Sequence, residues 1–588
     1  MDNQRNIILA VVLTGLLLFG WSKGVDYFYP QPDKPAVSAP ASPAPSADPA
    51  QASKPTREGG LTSAADIAAE QRDLKTALDP AGRVPIAAPG LTGSIALTGA
   101  LIDDLSTARH TQALTKDSGP ARVFSPPGTP AQQFARFGWG GQGVTVPDER
   151  TVWTAPAGAR LTPQSPVSLT WTNPAGQTFA LTYAIDADYM ITATQTVTNG
   201  GAEPITVQPF AFVNRTDKTA SLDSYNVHSG PFGAFDEAVA FGPNYDDLRE
   251  AGTIANSGKP DWIGFTDIYW MATLIADKAE ATSRFRALGK GVYRADLLYA
   301  NETVAPGQAL TRTTRLFAGA KESKVLDRYA AAGVTNFDLA IDWGWFRWFE
   351  RPIFWLLTKL FSLVGNFGVA IMLLTVVVRG VMFPIAQRQF ASMAAMKAIQ
   401  PKMKALQERY KDDKQKQQQE VMALYKAEGV NPLAGCLPIF LQIPVFFALY
   451  KVLTLSIEMR HQPFALWIKD LSAPDPLHFF NLFGALDFTV PSLLALGPLA
   501  LLLGVTMWLQ FKLNPAQMDP MQQQVFAIMP WMMMFVMAPF AAGLLLYWIT
   551  SNLLTIAQQK YLYSRHPQLA AQAEKDAEDA KRAKARAS

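Results

Sequence analysis

The most informative side chain in this sequence is an arginine inside an otherwise apolar segment. Arg379 follows Leu374-Thr-Val-Val-Val378 and precedes Gly-Val-Met-Phe-Pro384. A charge at that depth of a membrane costs several kcal/mol unless it lies in a wet cavity, pairs or snorkels. Two explanations remain open: Arg379 snorkels to the inner headgroups, or it faces a water-filled pocket open to the cytoplasm. The pocket is the favoured explanation, and it would attract acidic or polar segments.

Other polar side chains could line the same pocket. Thr375 lies four residues before Arg379 and therefore on the same helix face. Gln442 lies in the middle of a second apolar segment, and Ser551 and Asn552 interrupt the last one. Each of them alone is explained as well by a hydrogen bond between neighbouring helices. Together they predict a helical bundle with a polar interior.

A group of methionines offers a second kind of surface. Its members are Met518, Met521, Met529, Met532, Met533, Met534 and Met537. Flexible thioethers suit a surface that meets varied apolar partners. Plain lipid-facing packing explains these residues equally well.

The sequence contains no signature of an enzyme. The five histidines form no ligand-spaced pair, and neither a phosphate-binding loop nor a serine nucleophile elbow is present. The single cysteine, Cys436, excludes an intramolecular disulfide and a cysteine metal cluster. The formal net charge of +3 argues against a nucleic-acid substrate. We therefore expect a protein that is not an enzyme and that needs no cofactor and no metal.

Apolar segments in the second half of the chain must position the polar groups. Of the 588 residues, 49% are hydrophobic and only 17% are charged. Three segments reach the roughly 20 residues that a transmembrane helix needs. These predicted spans are 364–386, 431–457 and 491–511.

The last apolar segment is too long for one span and contains Pro530 and Pro539. We predict two short spans, 525–540 and 541–563. This division leaves both basic regions on the cytoplasmic side, where positively charged flanks stay. Those regions are the segment 387–430 and the tail 564–588.

The N-terminal segment 1–29 is predicted to be a sixth span. Its apolar run ends near Trp21 without a small-x-small cleavage site, and aromatic residues follow it, as in an interfacial belt. A cleaved signal peptide is the alternative explanation. The next segment, 30–56, is rich in Pro, Ala and Ser and is predicted to be an extended linker.

Residues 57–335 have the pattern of a β domain. Alternating apolar and polar residues predict strands over 167–172, 178–185, 189–197, 205–213, 269–275, 293–299 and 310–317. Short strands at this spacing are typical of a β-sandwich. A closing helix is predicted over 321–332.

Three further segments connect the predicted domain and spans. Segment 336–363 is dense in aromatic residues with a polar face, which predicts an amphipathic helix in the membrane interface; a buried helix of the β domain is the alternative. Segment 387–430 is predicted to be a cytoplasmic helical hairpin that could be a docking arm or simply a solvated one. Segments 458–490 and 512–524 are predicted to be a periplasmic and a cytoplasmic loop.

Several motifs together resemble the YidC/Oxa/Alb membrane protein insertases, in the layout of the Gram-negative members. The motifs are 374–384, 400–402, 423–428, 430–438, 463–468, 519–523 and 546–552. The resemblance implies an α-helical membrane bundle of six transmembrane helices with a five-helix insertase core, plus a periplasmic all-β supersandwich domain without catalysis. The stretch 479–498 departs from the family pattern by its length, which leaves the register of 463–519 open.

The resemblance also implies a function and a site. Such proteins insert and fold nascent membrane proteins, alone or with the Sec translocon, through a hydrophilic groove open to cytoplasm and lipid. By motif, the groove residues here are Arg379, Thr375, Gln442, Phe446, Tyr547 and Trp548. These residues would shape the groove rather than react.

The implied partners are nascent membrane-protein clients, the Sec translocon and membrane lipids. The ribosome and the signal recognition particle pathway are candidate partners of the cytoplasmic hairpin and tail, and no nucleic-acid substrate is expected. The implied location is the bacterial inner membrane, multi-pass, with both termini cytoplasmic and the large domain periplasmic.

Three other functions were weighed against insertion. A transporter would need internal repeats with broken helices, and no repeat is visible. A membrane-anchored carbohydrate enzyme would need convergent acids and histidines in residues 57–335. The only histidines in that range are His110 and His228. A purely structural anchor would not require a buried arginine such as Arg379.

Overall fold

The computed structural model describes a β domain followed by a bundle of helices. The described residues are 56–79, 82–114, 118–222, 227–411, 413–429, 437–484, 486, 495–513 and 520–565. The predicted N-terminal span and linker, Cys436 and almost all of the basic tail lie outside these residues. Among the methionines singled out above, Met518 also lies outside them.

The β domain consists of two antiparallel sheets packed face to face. The first sheet has ten strands in the order β1-β2-β3-β5-β9-β16-β15-β12, with β4 beside β3 and β17 beside β9. These strands are β1 Arg83–Ala87, β2 Leu91–Ala96, β3 Leu101–Thr111, β4 Pro120–Phe124, β5 Gln133–Gln142, β9 Ile205–Thr216, β12 Thr253–Ala255, β15 Ala281–Gly289, β16 Val292–Tyr299 and β17 Glu302–Val304. The antiparallel arrangement lets one face of this sheet pack on the core.

The second sheet has eight strands in the order β11-β10-β13-β14-β18-β8-β7-β6. They are β6 Val167–Thr172, β7 Gln177–Ile185, β8 Met190–Asn199, β10 Gly230–Phe235, β11 Ala238–Phe241, β13 Pro260–Thr266, β14 Trp270–Ile275 and β18 Ala309–Ala320. Burial alternates along β7 residue by residue, as the sequence pattern indicated. The predicted strands and the β-sandwich class are confirmed.

Helices occupy the margins of the β domain. They are α1 Ala64–Ala77, α2 Tyr245–Ala251 and α3 Ser323–Ala331. Helix α3 confirms the predicted closing helix, but α1 was not predicted. The signal was present, since Ser63 caps the helix by accepting a hydrogen bond from the Asp66 N–H and an alanine-rich sequence follows.

The remaining helices form the bundle. They are α4 Arg347–Val364, α5 Phe367–Ala398, α6 Gln400–Arg409, α7 Lys414–Ala427, α8 Leu437–Leu455, α9 Pro498–Leu513, α10 Pro520–Met537 and α11 Ala542–Arg565. In the described part of the chain one segment, Phe367–Arg388, is long and apolar enough to cross a membrane by itself. Shorter apolar helical segments are Gln442–Leu455, Pro498–Lys512 and Ala527–Met537. The helical class is confirmed, whereas the count of six spans remains a prediction.

Helix α5 is longer than the predicted span. It does not end near residue 386 but continues to Ala398, so Met393 and Met396 belong to the same helix as Arg379. The residues after Ala386 are good helix formers and contain no breaker. The break comes instead at Pro401, at the start of α6, where the proline ring prevents a continuous helix.

Helices α6 and α7 form a helical hairpin in the predicted segment. The chain turns between Tyr410 and Asp413, and the Asp413 side chain caps α7 by accepting from the Lys416 N–H. A salt bridge of 2.6 Å joins Lys402 to Glu428 across the two helices. These contacts are exposed, so they contribute little to stability.

The β domain is fixed to the bundle by a buried arginine at the end of α8. Arg460 donates hydrogen bonds to the Glu58 carboxylate (Nη2 to Oε2, 2.7 Å) and to the main-chain oxygens of Thr111 and Gln112 (2.8 and 2.9 Å). Its guanidinium also lies 5.5 Å from the Trp270 ring centroid. The contact therefore joins the loop after α8 to two parts of the β domain.

A second arginine at the same junction binds the last carbonyl groups of α8. Arg57 donates to the main-chain oxygens of Leu453 and Thr454 at 3.1 and 3.0 Å, and to the Tyr269 hydroxyl at 3.1 Å. The last carbonyls of a helix lack partners within it, so a cation is stabilising there. Arg57 and Arg460 together hold the start of the β domain on the bundle.

Three potential metal ligands lie at this junction, but an arginine already serves as their cation. Ligand atoms of Glu58, His461 and Asp470 lie within 4.8 Å of one another. Glu58 accepts two hydrogen bonds from Arg460, and burial together with Arg460 lowers the pKa of His461. We therefore interpret the group as an ion-pair cluster centred on Arg460.

Replacing Arg460 should loosen the β domain from the bundle. We expect Arg460→Ala to remove the hydrogen bonds to Glu58, Thr111 and Gln112 and to loosen the segment around Arg57, at a cost of about 1–3 kcal/mol. Trypsin cleavage after Arg57 should then be about tenfold faster or more. Limited proteolysis of the full chain in detergent measures this rate. Arg150→Ala, at an exposed position of the β domain, is the matched control, and equal rates in both variants would contradict the assignment.

Candidate functional site

The predicted groove arginine lies between helices α5 and α11. Arg379 is partly buried, and its Nε donates to the Ser551 hydroxyl at 3.1 Å, with a second bond from Nη2. Among the described residues no carboxylate forms a salt bridge with Arg379. A charged guanidinium with one hydroxyl partner retains unused donors, because arginine has five.

A second polar contact crosses the bundle between α8 and α11. Gln442 donates a short hydrogen bond from Nε2 to the hydroxyl of Tyr547, which is 1% exposed. Phe446 lies one turn after Gln442 on α8 and Trp548 directly follows Tyr547 on α11, and their rings meet edge to face with centroids 5.2 Å apart. Two polar and two aromatic groups thus line one seam, and Tyr547 lies within electrostatic range of Arg379.

The Thr375 hydroxyl is bonded within its own helix. Its side chain is 1% exposed, and its hydroxyl donates to the Ile371 main-chain oxygen of its own helix at 2.7 Å. A threonine bonded in this way has spent its donor inside the helix. The Thr375 hydroxyl therefore offers no donor to the seam.

Ser551 and Asn552 both form hydrogen bonds to other helices of the bundle. Ser551 is the partner of Arg379, and Asn552 donates from Nδ2 to the Thr506 hydroxyl on α9 at 3.2 Å. Both side chains are 3% exposed. Their polar groups hold α11 against two different helices.

The methionines of α10 do not form one surface. Met534 and Met537 are buried, whereas Met532 is 53% exposed. Helical periodicity divides neighbouring side chains between the bundle interior and its outside. Both explanations given for this group need an exposed side chain, so they stay open for Met532 and do not apply to Met534 and Met537.

Two ionisable residues of the bundle were not predicted as functional. Glu350 on α4 is 0% exposed and Lys451 on α8 is 4% exposed. The signal available in the sequence was a lysine within an apolar segment and an acid within an aromatic one. Their arrangement is taken up below.

The chain matches two family models that together cover most of its length. Residues 83–356 match the model described as YidC periplasmic domain. Residues 359–569 match the model described as 60Kd inner membrane protein. The boundary between the two matches falls within α4.

Curated relatives match the chain over nearly its whole length. The membrane protein insertase YidC of Zymomonas mobilis subsp. mobilis is 42% identical over 574 residues, which is 96% of each chain. That of Nitrobacter hamburgensis is 42% identical over 591 residues, again 96% of each chain. A β sandwich joined to a helical bundle with a buried arginine, in a chain with these relatives, defines a membrane protein insertase.

The resemblance found in the motifs is thereby confirmed. The chain belongs to the YidC family, and it is an inner membrane protein with a periplasmic domain.

Solved structures share weaker similarity. An active YidC insertase with its first transmembrane domain resolved is 18% identical, with a TM-score of 0.35, covering 81% of this chain and 92% of that one. A galactose mutarotase-like protein from Lactobacillus casei is 11% identical, with a TM-score of 0.31, covering 40% of this chain and all of that one.

Proposed function

We propose that clients enter the membrane through a groove formed by α5, α8 and α11, with Arg379 as its charged centre. The polar, often acidic segment of a nascent client would lie beside the Arg379 guanidinium. Its apolar segment would pass into lipid along the same helices. Hydrophobic transfer, about 25 cal/mol for each Å² of apolar surface removed from water, would drive the step without a cofactor.

The observation that carries this proposal is the incomplete hydrogen bonding of Arg379. A guanidinium held by the neutral hydroxyl of Ser551 has donors left for a carboxylate, and a carboxylate would match them with two parallel bonds. Gln442 and Tyr547 would fix the geometry of the seam. Phe446 and Trp548 would offer an apolar wall to the client, while Thr375 would stabilise α5 itself.

The topology belongs to the proposal as well. We infer six spans: segment 1–29, then α5, α8, α9, α10 and α11, with α4 in the interface, both termini cytoplasmic and the β domain periplasmic. The hairpin α6–α7 then lies in the cytoplasm, where nascent chains emerge. The Sec translocon, the ribosome and the signal recognition particle pathway are proposed partners of this arrangement.

A photocrosslinking experiment tests the groove. A photoreactive phenylalanine at Phe446 should form adducts with a stalled single-span client several-fold more often than the same group at Leu502, which is 46% exposed on α9. The client would be presented to inner-membrane vesicles as a ribosome-bound chain. Equal labelling from both positions would mean that clients do not use this seam.

A further inference from the structure

Glu350 is a fully buried carboxyl group without a hydrogen-bond donor. It lies on α4 with 0% of its surface exposed, and neither of its carboxylate oxygens has a hydrogen-bond partner among the described residues. A buried, ionised carboxylate without donors is strongly unfavourable, and such a group takes up a proton instead. The geometry therefore favours the neutral acid.

Lys451 faces this carboxyl from α8 but is bonded elsewhere. Its ammonium donates to the main-chain oxygen of Asp342 at 2.8 Å, and it acts electrostatically on Glu350 without a hydrogen bond between them. Two buried groups of opposite potential charge thus lie on packed helices without a bond between them.

Few other charges act on this site. Asp342 precedes α4, and Arg347 and Arg351 lie on the exposed side of the same helix, where Arg351 pairs with Asp338 and Asp327 of the β domain side. On α8 the only residue between 442 and 455 with a charge at neutral pH is Lys451, beside the phenol of Tyr450, and the part of α5 that follows α4, residues 367–378, contains no ionisable residue. Burial therefore has the largest effect on the charge state of Glu350, and Lys451 and Asp342 are the charged groups that modify it.

A cleft lies next to this site. The cleft, with a volume of about 830 Å³, lies between the hairpin of β10 and β11 and the start of α4. Its lining includes Asp342, Gly344 and Arg347, but neither Glu350 nor Lys451. The cleft therefore extends to Asp342, whose main-chain oxygen binds Lys451, and stops short of the buried carboxyl group.

We propose that Glu350 is a proton-binding site, in which loss of the proton moves Lys451 from the Asp342 oxygen to the carboxylate and changes how α4 is held against α8. Glu350 and Lys451 are then positioning residues for the interfacial helix. Burial raises the pKa of the Glu350 carboxyl to about 7, against the opposing effect of Lys451. Proton exchange is therefore expected near neutral pH.

Infrared spectroscopy of the full chain in lipid nanodiscs tests the proton directly. We expect the carbonyl stretch of a protonated carboxyl to fade as the pH rises, with a midpoint of about 7, and this component to be missing in Glu350→Gln. Lys451→Met should raise the midpoint by about 1 unit, because the opposing positive charge is gone. Glu203→Gln, at an exposed position, should leave the spectrum unchanged.

Crosslinking tests the structural consequence. Phe346 on the α4 side and Phe447 on α8 have ring centroids 6.5 Å apart, so cysteines there, in a Cys436→Ser background, report on the helix contact. Thiol oxidation itself accelerates with pH. The readout is therefore the crosslinking rate of the cysteine pair divided by the rate of the same pair in a protein that also carries Glu350→Gln. That ratio should change across the midpoint. An infrared carbonyl band that persists in Glu350→Gln, or a crosslinking ratio that stays constant with pH, would overturn the proposal.

These outcomes do not depend on the groove. The infrared band and the crosslinking ratio report on α4 and α8 in the absence of any client. A failure of the insertion experiments would therefore leave this result standing, and the reverse is equally true.

Discussion

Arg379→Ala is expected to reduce client insertion about tenfold or more in liposomes that contain only this protein. A charge-assisted hydrogen bond contributes about 1.5–3 kcal/mol, and each 1.4 kcal/mol corresponds to about a factor of ten in rate. The substitution removes the guanidinium and leaves Ser551 on α11 without its partner. Protection of the translocated client end from added protease measures the insertion.

The controls separate a groove charge from a structural one. Arg379→Lys keeps a positive charge and should recover part of the activity, because lysine supplies a point charge without the planar fork. Arg388→Ala, at an exposed position on the same helix, should behave as wild type. A client with its acidic residues replaced should lose much of its dependence on Arg379. Full protection with Arg379→Ala for every client would indicate that the side chain snorkels.

Arg215→Ala is expected to destabilise the β domain by about 3–5 kcal/mol, because it leaves a buried carboxylate unpaired. Arg215 is 1% exposed, and its Nη2 lies 2.6 Å from Oδ2 of Asp267. Ser221 and Ser229 complete the site through bonds to Oδ1 at 2.9 and 2.8 Å. Thermal unfolding followed by tryptophan fluorescence should show a fall in Tm on the order of 10 °C.

The pH dependence of this effect has a definite sign. Burial alone would raise the pKa of Asp267, but Arg215 and the two serines outweigh it, and the net shift is downward. The Arg215–Asp267 pair therefore contributes its full stabilisation at pH values above the pKa of the unfolded aspartate, about 3.9. This stabilisation is lost as the pH falls through the pKa of Asp267 in the folded state. The difference in Tm between wild type and Arg215→Ala should shrink in acid.

Arg249→Ala is the control, because the Arg249 side chain is 58% exposed. It should change stability by less than about 0.5 kcal/mol, and a fall in Tm as large as that of Arg215→Ala would refute the assignment.

Sequence patterns predicted the classes of element correctly, and they are the basis on which the site residues are proposed. Period-two alternation over residues such as 178–185 specified strands, because one face of each had to be buried. The cost of a charge in an apolar segment pointed to Arg379 before any relative was considered. The family motifs then carried the function, which the relatives confirm.

The sequence indicated less well where helices begin and end. Helix α5 continues past the predicted end at residue 386 because nothing in the following residues breaks it, and the boundary is set by Pro401 instead. Helix α1 went unpredicted although Ser63 and its alanine-rich continuation suit a helix. A short helix beside a β domain has a weak hydrophobic pattern, so its local propensity was easily overlooked.

Tertiary structure alone decided the partners. Ser551 is separated from Arg379 by 172 residues, and Arg460 from Glu58 by 402; no spacing rule connects positions so distant. The same holds for Glu350 and Lys451, whose charges have meaning only because α4 and α8 pack together and exclude water. Local periodicity fixes which face of a helix is apolar, but the protonation and pairing of a buried group depend on what the fold brings opposite to it.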